Sequence, residues 1–176
     1  MTTAYPMVPA WDSEAFSAAP GHVRSQTFLD DLGVVRSRNV KWLFNDLGAA
    51  AEIGRPYMVR FNANSGQNPS IAAALVAPTD TPELVCVALK ATADQTWDYF
   101  CVEGYTEALV EGGTDVTKGD YLSVDDDIVT GGAFKEDTTT RTKNSFAIYQ
   151  DATDQTAASA SLRLIYMFGQ EAEVLT

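Results

Sequence analysis

The stretch Tyr99-Phe100-Cys101-Val102-Glu103-Gly104-Tyr105-Thr106-Glu107-Ala108-Leu109-Val110 decides the fold. It is rich in aromatic and β-branched residues, shows no helical repeat of apolar positions, and is interrupted by a single glycine at 104. Side chains of that kind pack well on a pleated surface, and a glycine inside such a run marks a bulge or a bend where a sheet turns a corner. The pattern implies a closed or nearly closed barrel.

Working outward, similar short runs recur at 40–44, 57–62, 71–77, 84–90, 121–124, 146–149 and 161–168, separated by Gly, Asn, Asp and Thr. Strands at such regular spacing, with no segment of helical length, read as all-β. The runs at 84–90 and 99–103 flank a polar connection of hairpin length and are expected to pair antiparallel. In the run 161–168, Leu162, Leu164, Tyr166 and Phe168 alternate with Arg163, Ile165 and Met167. Both faces are largely apolar, so this strand is expected to be central.

Residues 1–20 are different. Pro6, Pro9 and Pro20 remove backbone donors and favour an extended chain, and Tyr5, Trp11 and Phe16 are spaced between them. This segment reads as an extended arm that orders on a partner. Residues 25–35 offer a weak helical pattern, broken by Gly33 and Val34-Val35, and read as a connector. The expected organisation is an N-terminal arm and connector over 1–38 and a β-barrel, or barrel-like sandwich, over 39–176. The residues expected to meet a partner are Tyr5, Trp11, Phe16, Val23, Arg24 and Phe28.

With 176 residues, the chain is long enough to bury a core without staples. No stretch approaches the roughly 20 apolar residues of a membrane-spanning helix, so no membrane partner is expected. The first residues lack a basic segment followed by an apolar one, which points to synthesis and retention in a cytoplasm. Cys86 and Cys101 are then expected to be buried free thiols. The 12 basic and 24 acidic residues give a formal charge of −12, which opposes direct binding to phosphate backbones and favours solubility.

Residues for chemistry are sparse. His22, the single histidine, lies in a Pro-Gly-His turn without the rigid scaffold that a Ser-His-Asp or Cys-His site needs. No metal-ligand spacing of Cys and His occurs, and Asp125-Asp126-Asp127 lacks the alternating pattern of a calcium loop, so it reads as a solvated turn. In the segment 112–119, Lys118 precedes Gly119 and a strand follows, which is the wrong order for a phosphate-binding loop; a tight turn is expected. Glu103, Glu107 and Glu111 are carboxylates of the type that glycoside hydrolysis uses, with nothing in the sequence to set their separation. The chain is expected not to be an enzyme, and no cofactor or metal is expected.

The run Val102-Glu103-Gly104-Tyr105-Thr106-Glu107-Ala108-Leu109-Val110, followed by Gly113-Thr114-Asp115-Val116-Thr117-Lys118-Gly119-Asp120-Tyr121-Leu122, resembles the head decoration, or cement, proteins of tailed phages. Asp137-Thr138-Thr139-Thr140-Arg141-Thr142, Ser145-Phe146-Ala147-Ile148-Tyr149 and the strand 162–168 look like that family too, so the resemblance covers roughly 54–174. It implies a β-barrel on the outer surface of an icosahedral head, commonly a trimer at local threefold positions, that reinforces joints between major capsid subunits. No catalytic activity is implied. The expected function is thus that of a virion structural protein, with the chain itself and the major capsid protein as partners.

An alternative is a virion-displayed module binding a host receptor or glycan, with Trp97, Tyr99 or the loop 137–143 forming a shallow site. A small trimeric β-barrel hydrolase is a third class. It would require basic phosphate ligands beside Asp and Ser at strand ends, a grouping this sequence lacks.

Overall fold

A computed structural model of the chain describes residues 19–61, 66–73, 84–112, 115–124, 132–138, 145–157 and 159–169. The fold is all-β and barrel-like. Its strands are β1 (Val23–Leu29), β2 (Val35–Asn45), β3 (Pro56–Arg60), β4 (Ser70–Ala73), β5 (Val85–Ala88), β6 (Trp97–Glu111), β7 (Tyr121–Val124), β8 (Phe134–Thr138), β9 (Ala147–Tyr149) and β10 (Ser161–Met167). Among the described residues, no helix is long and apolar enough to cross a membrane.

Hydrogen bonding closes the sheet twice. One ring runs β2-β4-β3-β5-β6 and returns to β2, and the other runs β6-β10-β9-β7-β8 and returns to β6. β6 belongs to both, and its 15 residues are what make this possible. Its first half pairs with β2 and β5, and its second half with β10 and β8.

The change of ring occurs at an irregularity. Asn39 faces Glu103 and Val40 faces Cys101, so Val102 is an extra residue on β6. Such a bulge bends a strand and shifts which residues face inward. Just beyond it, Gly104 takes φ 87°, and a Cβ there would lie 2.6 Å from the Ser37 carbonyl oxygen and 2.8 Å from the Arg38 Cα. Only glycine fits that approach and that conformation.

Each ring carries its own core. Leu43, Tyr57, Val59, Ile71, Cys86, Ala88, Phe100 and Val102 form one. Val85, Val87, Cys101, Ala108, Val110, Leu122, Phe134, Tyr149, Ile165 and Met167 contribute to the other. β5 is buried along its whole length because alternate residues feed the two cores. The thiols are free and fully buried, as expected. Cys101 faces Val87 across the ladder, so Cys86 is one residue out of register and points into the opposite core.

Several expectations hold. The runs at 84–90 and 99–103 pair antiparallel through β5 and β6, and β10 is central, between β6 and β9. Its core side is Ile165 and Met167, while Leu162 remains exposed. The weak helical reading of 25–35 is corrected: these residues form most of β1, a turn and the start of β2. β2 runs continuously across position 38, where the connector was expected to end. Asp137 lies in β8 rather than in a loop; residues 139–143 of that expected loop lie outside the described residues, as do Asp125-Asp126-Asp127.

Candidate interaction surface

β1 and the first half of β2 form an antiparallel ribbon, from Val23 opposite Lys41 to Leu29 opposite Val35. The ladder that ties β2 to β6 begins only at Arg38 opposite Gly104. The rungs from Thr27 opposite Ser37 to Leu29 opposite Val35 therefore overrun it.

The turn at the end of the ribbon is built by Asp30. Its Oδ1 accepts from the backbone N–H of Leu32 at 3.0 Å and of Val34 at 2.8 Å, and its Oδ2 accepts from Arg36 Nε at 2.9 Å. The Gly33 N–H donates to the Asp30 carbonyl, with Gly33 at φ 73°. The Val34 N–H, then the Arg36 and Leu32 donors, hold the Asp30 carboxyl below its ordinary pKa of 3.8 against some desolvation.

Apolar side chains surround this polar clasp. Leu29, Leu32 and Val35 are 61%, 73% and 68% exposed, Val34 is exposed as well, and Val23 is exposed at the other end of β1. Leu29 and Val35 are directly opposite across the ladder and thus share a face. A monomeric protein leaves single apolar residues in water without consequence, but a cluster at the end of a stiff ribbon is the kind of surface that other proteins cover.

The opposite face of the ribbon is fixed to the body by cations over rings: the Arg24 guanidinium lies 4.0 Å from the Tyr99 ring centre and Arg36 lies 4.5 Å from Tyr105, while within the ribbon Arg38 lies 4.5 Å from Phe28. Each such contact adds about 0.5–1 kcal/mol near a surface. Asn39 Nδ2 donates to Glu103 Oε2 at 2.7 Å, and Ser25 Oγ donates to Asn39 Oδ1 at 2.7 Å. The ribbon is therefore a positioned element.

Of the residues expected to meet a partner, Val23 is exposed on β1, while Arg24 and Phe28 are half-buried on its inner face. Tyr5, Trp11 and Phe16 lie outside the described residues. Sequence reading missed Leu29, Leu32, Val34 and Val35. The signal that could have found them is Asp30 followed by Gly33 between two runs of alternating polarity, a hairpin signature that the weak helical reading obscured.

The other candidates are placed as follows. Trp97 packs on Phe44 with ring centres 5.4 Å apart, and Tyr99 packs on Trp42 at 4.6 Å as well as under Arg24. These rings are engaged by the protein's own side chains. Glu103, Glu107 and Glu111 occupy every fourth position of one strand, so successive members of the series stand about 13 Å apart along the backbone. Desolvation, followed by the charge of Asp31, raises the Glu107 pKa, while Arg38 works against it. His22 is exposed at the start of β1 and accepts from the Trp42 N–H through its carbonyl. The segment 112–119 ends in the expected tight turn, with Asp120 Oδ2 accepting from the Thr117 N–H at 2.6 Å. Among the described residues, no three His, Cys, Asp or Glu side chains are grouped to hold a metal ion.

Comparison with protein-family models and with curated proteins finds no match to this chain.

Proposed function

We propose that this chain is a non-enzymatic virion structural protein, a capsid decoration protein that sits on the outer surface of a phage head and stabilises contacts between major capsid subunits. The observation that carries this reading is the β1–β2 ribbon, held rigidly by Arg24, Arg36 and Asn39, with Leu29, Leu32, Val34 and Val35 exposed at its end. Covering a side chain of that size is worth about 1.5–3 kcal/mol when burial is complete. A handful of such contacts per copy, repeated over a shell, adds stability to the assembled state alone. The formal charge of −12 suits an outer surface better than contact with packaged nucleic acid. Synthesis in a host cytoplasm and trimers assembled on the shell at its threefold positions belong to the proposal through the family resemblance.

The test is addition of purified protein to shells of the major capsid protein that lack it. The native chain is expected to bind saturably and to raise the temperature at which shells break. The double variant Leu32→Asp/Val35→Asp, changed only at exposed positions, is expected to keep its own unfolding temperature and to lose binding. Shells that take up the variant as fully as the native chain, or that gain no heat resistance on binding, would overturn the proposal.

A further inference from the structure

Every described strand except β1 has hydrogen-bonded neighbours on both sides over at least part of its length, so among the described strands β1 is the one whose whole outer edge is unpaired by another described strand. An open edge of 7 residues is a template for another strand unless it is blunted by proline, a bulge or inward-pointing charge. β1, Val-Arg-Ser-Gln-Thr-Phe-Leu, has no proline, its pairing to β2 runs without a register shift, and its one inward charge, Arg24, is already held over the Tyr99 ring 4.0 Å away. The Asp30 N–H donates to the Val34 carbonyl, and the Trp42 N–H donates to the His22 carbonyl. Even-numbered residues of β1 therefore bond to β2, and Val23, Ser25, Thr27 and Leu29 direct their backbone groups outward.

We infer that the outer edge of β1 pairs with β1 of a second copy of this chain, antiparallel and about a two-fold axis at Gln26. The sequence is self-complementary in this register. Val23 lies opposite Leu29 of the partner copy and Ser25 opposite Thr27, so apolar meets apolar and hydroxyl meets hydroxyl. Arg24 lies opposite Phe28, the same kind of pairing that Arg38 already makes with Phe28 inside one copy. The outward backbone groups fall opposite one another as well, since odd positions face odd positions. On the exposed face, Val35 and Leu29 of one copy continue into Val23 of the other, extending the apolar surface across the axis.

The acidic charge that keeps two copies of this chain apart is not concentrated at this edge. The chain carries −12 overall, yet β1, β2 and the turn between them hold Arg24, Arg36, Arg38 and Lys41 against Asp30 and Asp31. The two copies would meet through a net positive ribbon whose Arg24 faces a ring rather than another cation. A two-fold contact of this kind is isologous and closes on itself, so it limits growth at this edge to a pair. It is independent of whether the protein decorates a capsid, and it is read on the isolated chain.

The experiment is sedimentation of the full chain over a range of concentrations, together with oxidation of a Gln26→Cys variant. The native chain is expected to dimerise reversibly. Thr27→Pro removes an outward N–H while sparing the bonds to β2, and is expected to give a monomer with an unchanged β-sheet spectrum. Should that variant fold poorly, Val23→Lys/Leu29→Lys places like charges opposite each other at exposed sites and is expected to abolish dimerisation, with Val23→Glu/Leu29→Lys restoring it. Gln26→Cys, at the axis, is expected to cross-link to itself, whereas Val23→Cys, placed opposite Leu29, is not. A native chain that stays monomeric, an assembly that survives both disrupting variants, or a Gln26→Cys variant that fails to cross-link because another segment fills the edge would each overturn the inference.

Discussion

Arg36 reaches back six residues to Asp30, its Nε donating to Oδ2 at 2.9 Å, and so locks the turn of the β1–β2 ribbon from the far side. The other carboxylate oxygen holds the amides of Leu32 and Val34. One side chain thereby organises the turn that displays the apolar cluster.

Replacing Asp30 by Ala is expected to fray this end of the ribbon and leave both cores intact. The amides of Leu32 and Val34 should then exchange with deuterium faster, while those of β5 and β10 keep their protection. The folded carboxyl titrates below 3.8, so the stability it contributes is complete above that value and is lost as pH falls through the lower, folded value. The melting difference between the native chain and Asp30→Asn should shrink on acidification below pH 3.8.

Gly104→Ala is expected to destabilise the whole protein. The added methyl would press on the backbone of Ser37 and Arg38, and the left-handed conformation would be strained as well. Loss of about 2–4 kcal/mol follows from strain and overpacking together. Denaturant unfolding monitored through tryptophan fluorescence measures it. Gly33→Ala, at a site with nothing within 4 Å of the new methyl, should cost less.

Gln155 is buried, and its amide joins the loop before β10 to β6. Nε2 faces the carbonyls of Val110, Ala157 and Ser159, and Oε1 accepts from Ser161 Oγ at 3.1 Å and Arg163 Nη2 at 2.9 Å. Truncation to Ala leaves several buried polar groups without their partner, at a cost of about 2–4 kcal/mol. Thermal unfolding of Gln155→Ala is expected at a clearly lower temperature than that of the native chain.

The thiols should be silent in the native state. Burial raises both, Cys101 to about 11, and each is shielded by a separate core. A thiol reagent at pH 8 is expected to label neither residue in the folded protein and both after denaturation, at a rate that follows unfolding. Rapid labelling of the native chain would contradict the core assignment.

The all-β class was legible because strand residues declare themselves through β-branched and aromatic side chains, as in Tyr99–Val110 and 161–168. β1 and β8 were not legible. β1 alternates Arg24, Gln26 and Phe28 with exposed Val23, Ser25, Thr27 and Leu29, and β8 carries Lys135, Glu136 and Asp137. Neither run has a dense apolar face, and each is a strand because a neighbour supplies its hydrogen bonds. The candidate surface was half legible for the same reason: Val23, Arg24 and Phe28 were named, but the turn that gathers Leu29, Leu32, Val34 and Val35 was not.

By itself the sequence determined the strand-forming character of most of the chain, its acidic net charge and the special status of Gly104, since each is a property of the residues themselves. Only the tertiary structure decided that β6 serves two rings, that Cys86 and Cys101 part into different cores, and that among the described strands β1 is the one with its whole outer edge unpaired. Those outcomes depend on pairings between residues far apart in the chain, and a difference of one residue in register reverses which face every side chain presents.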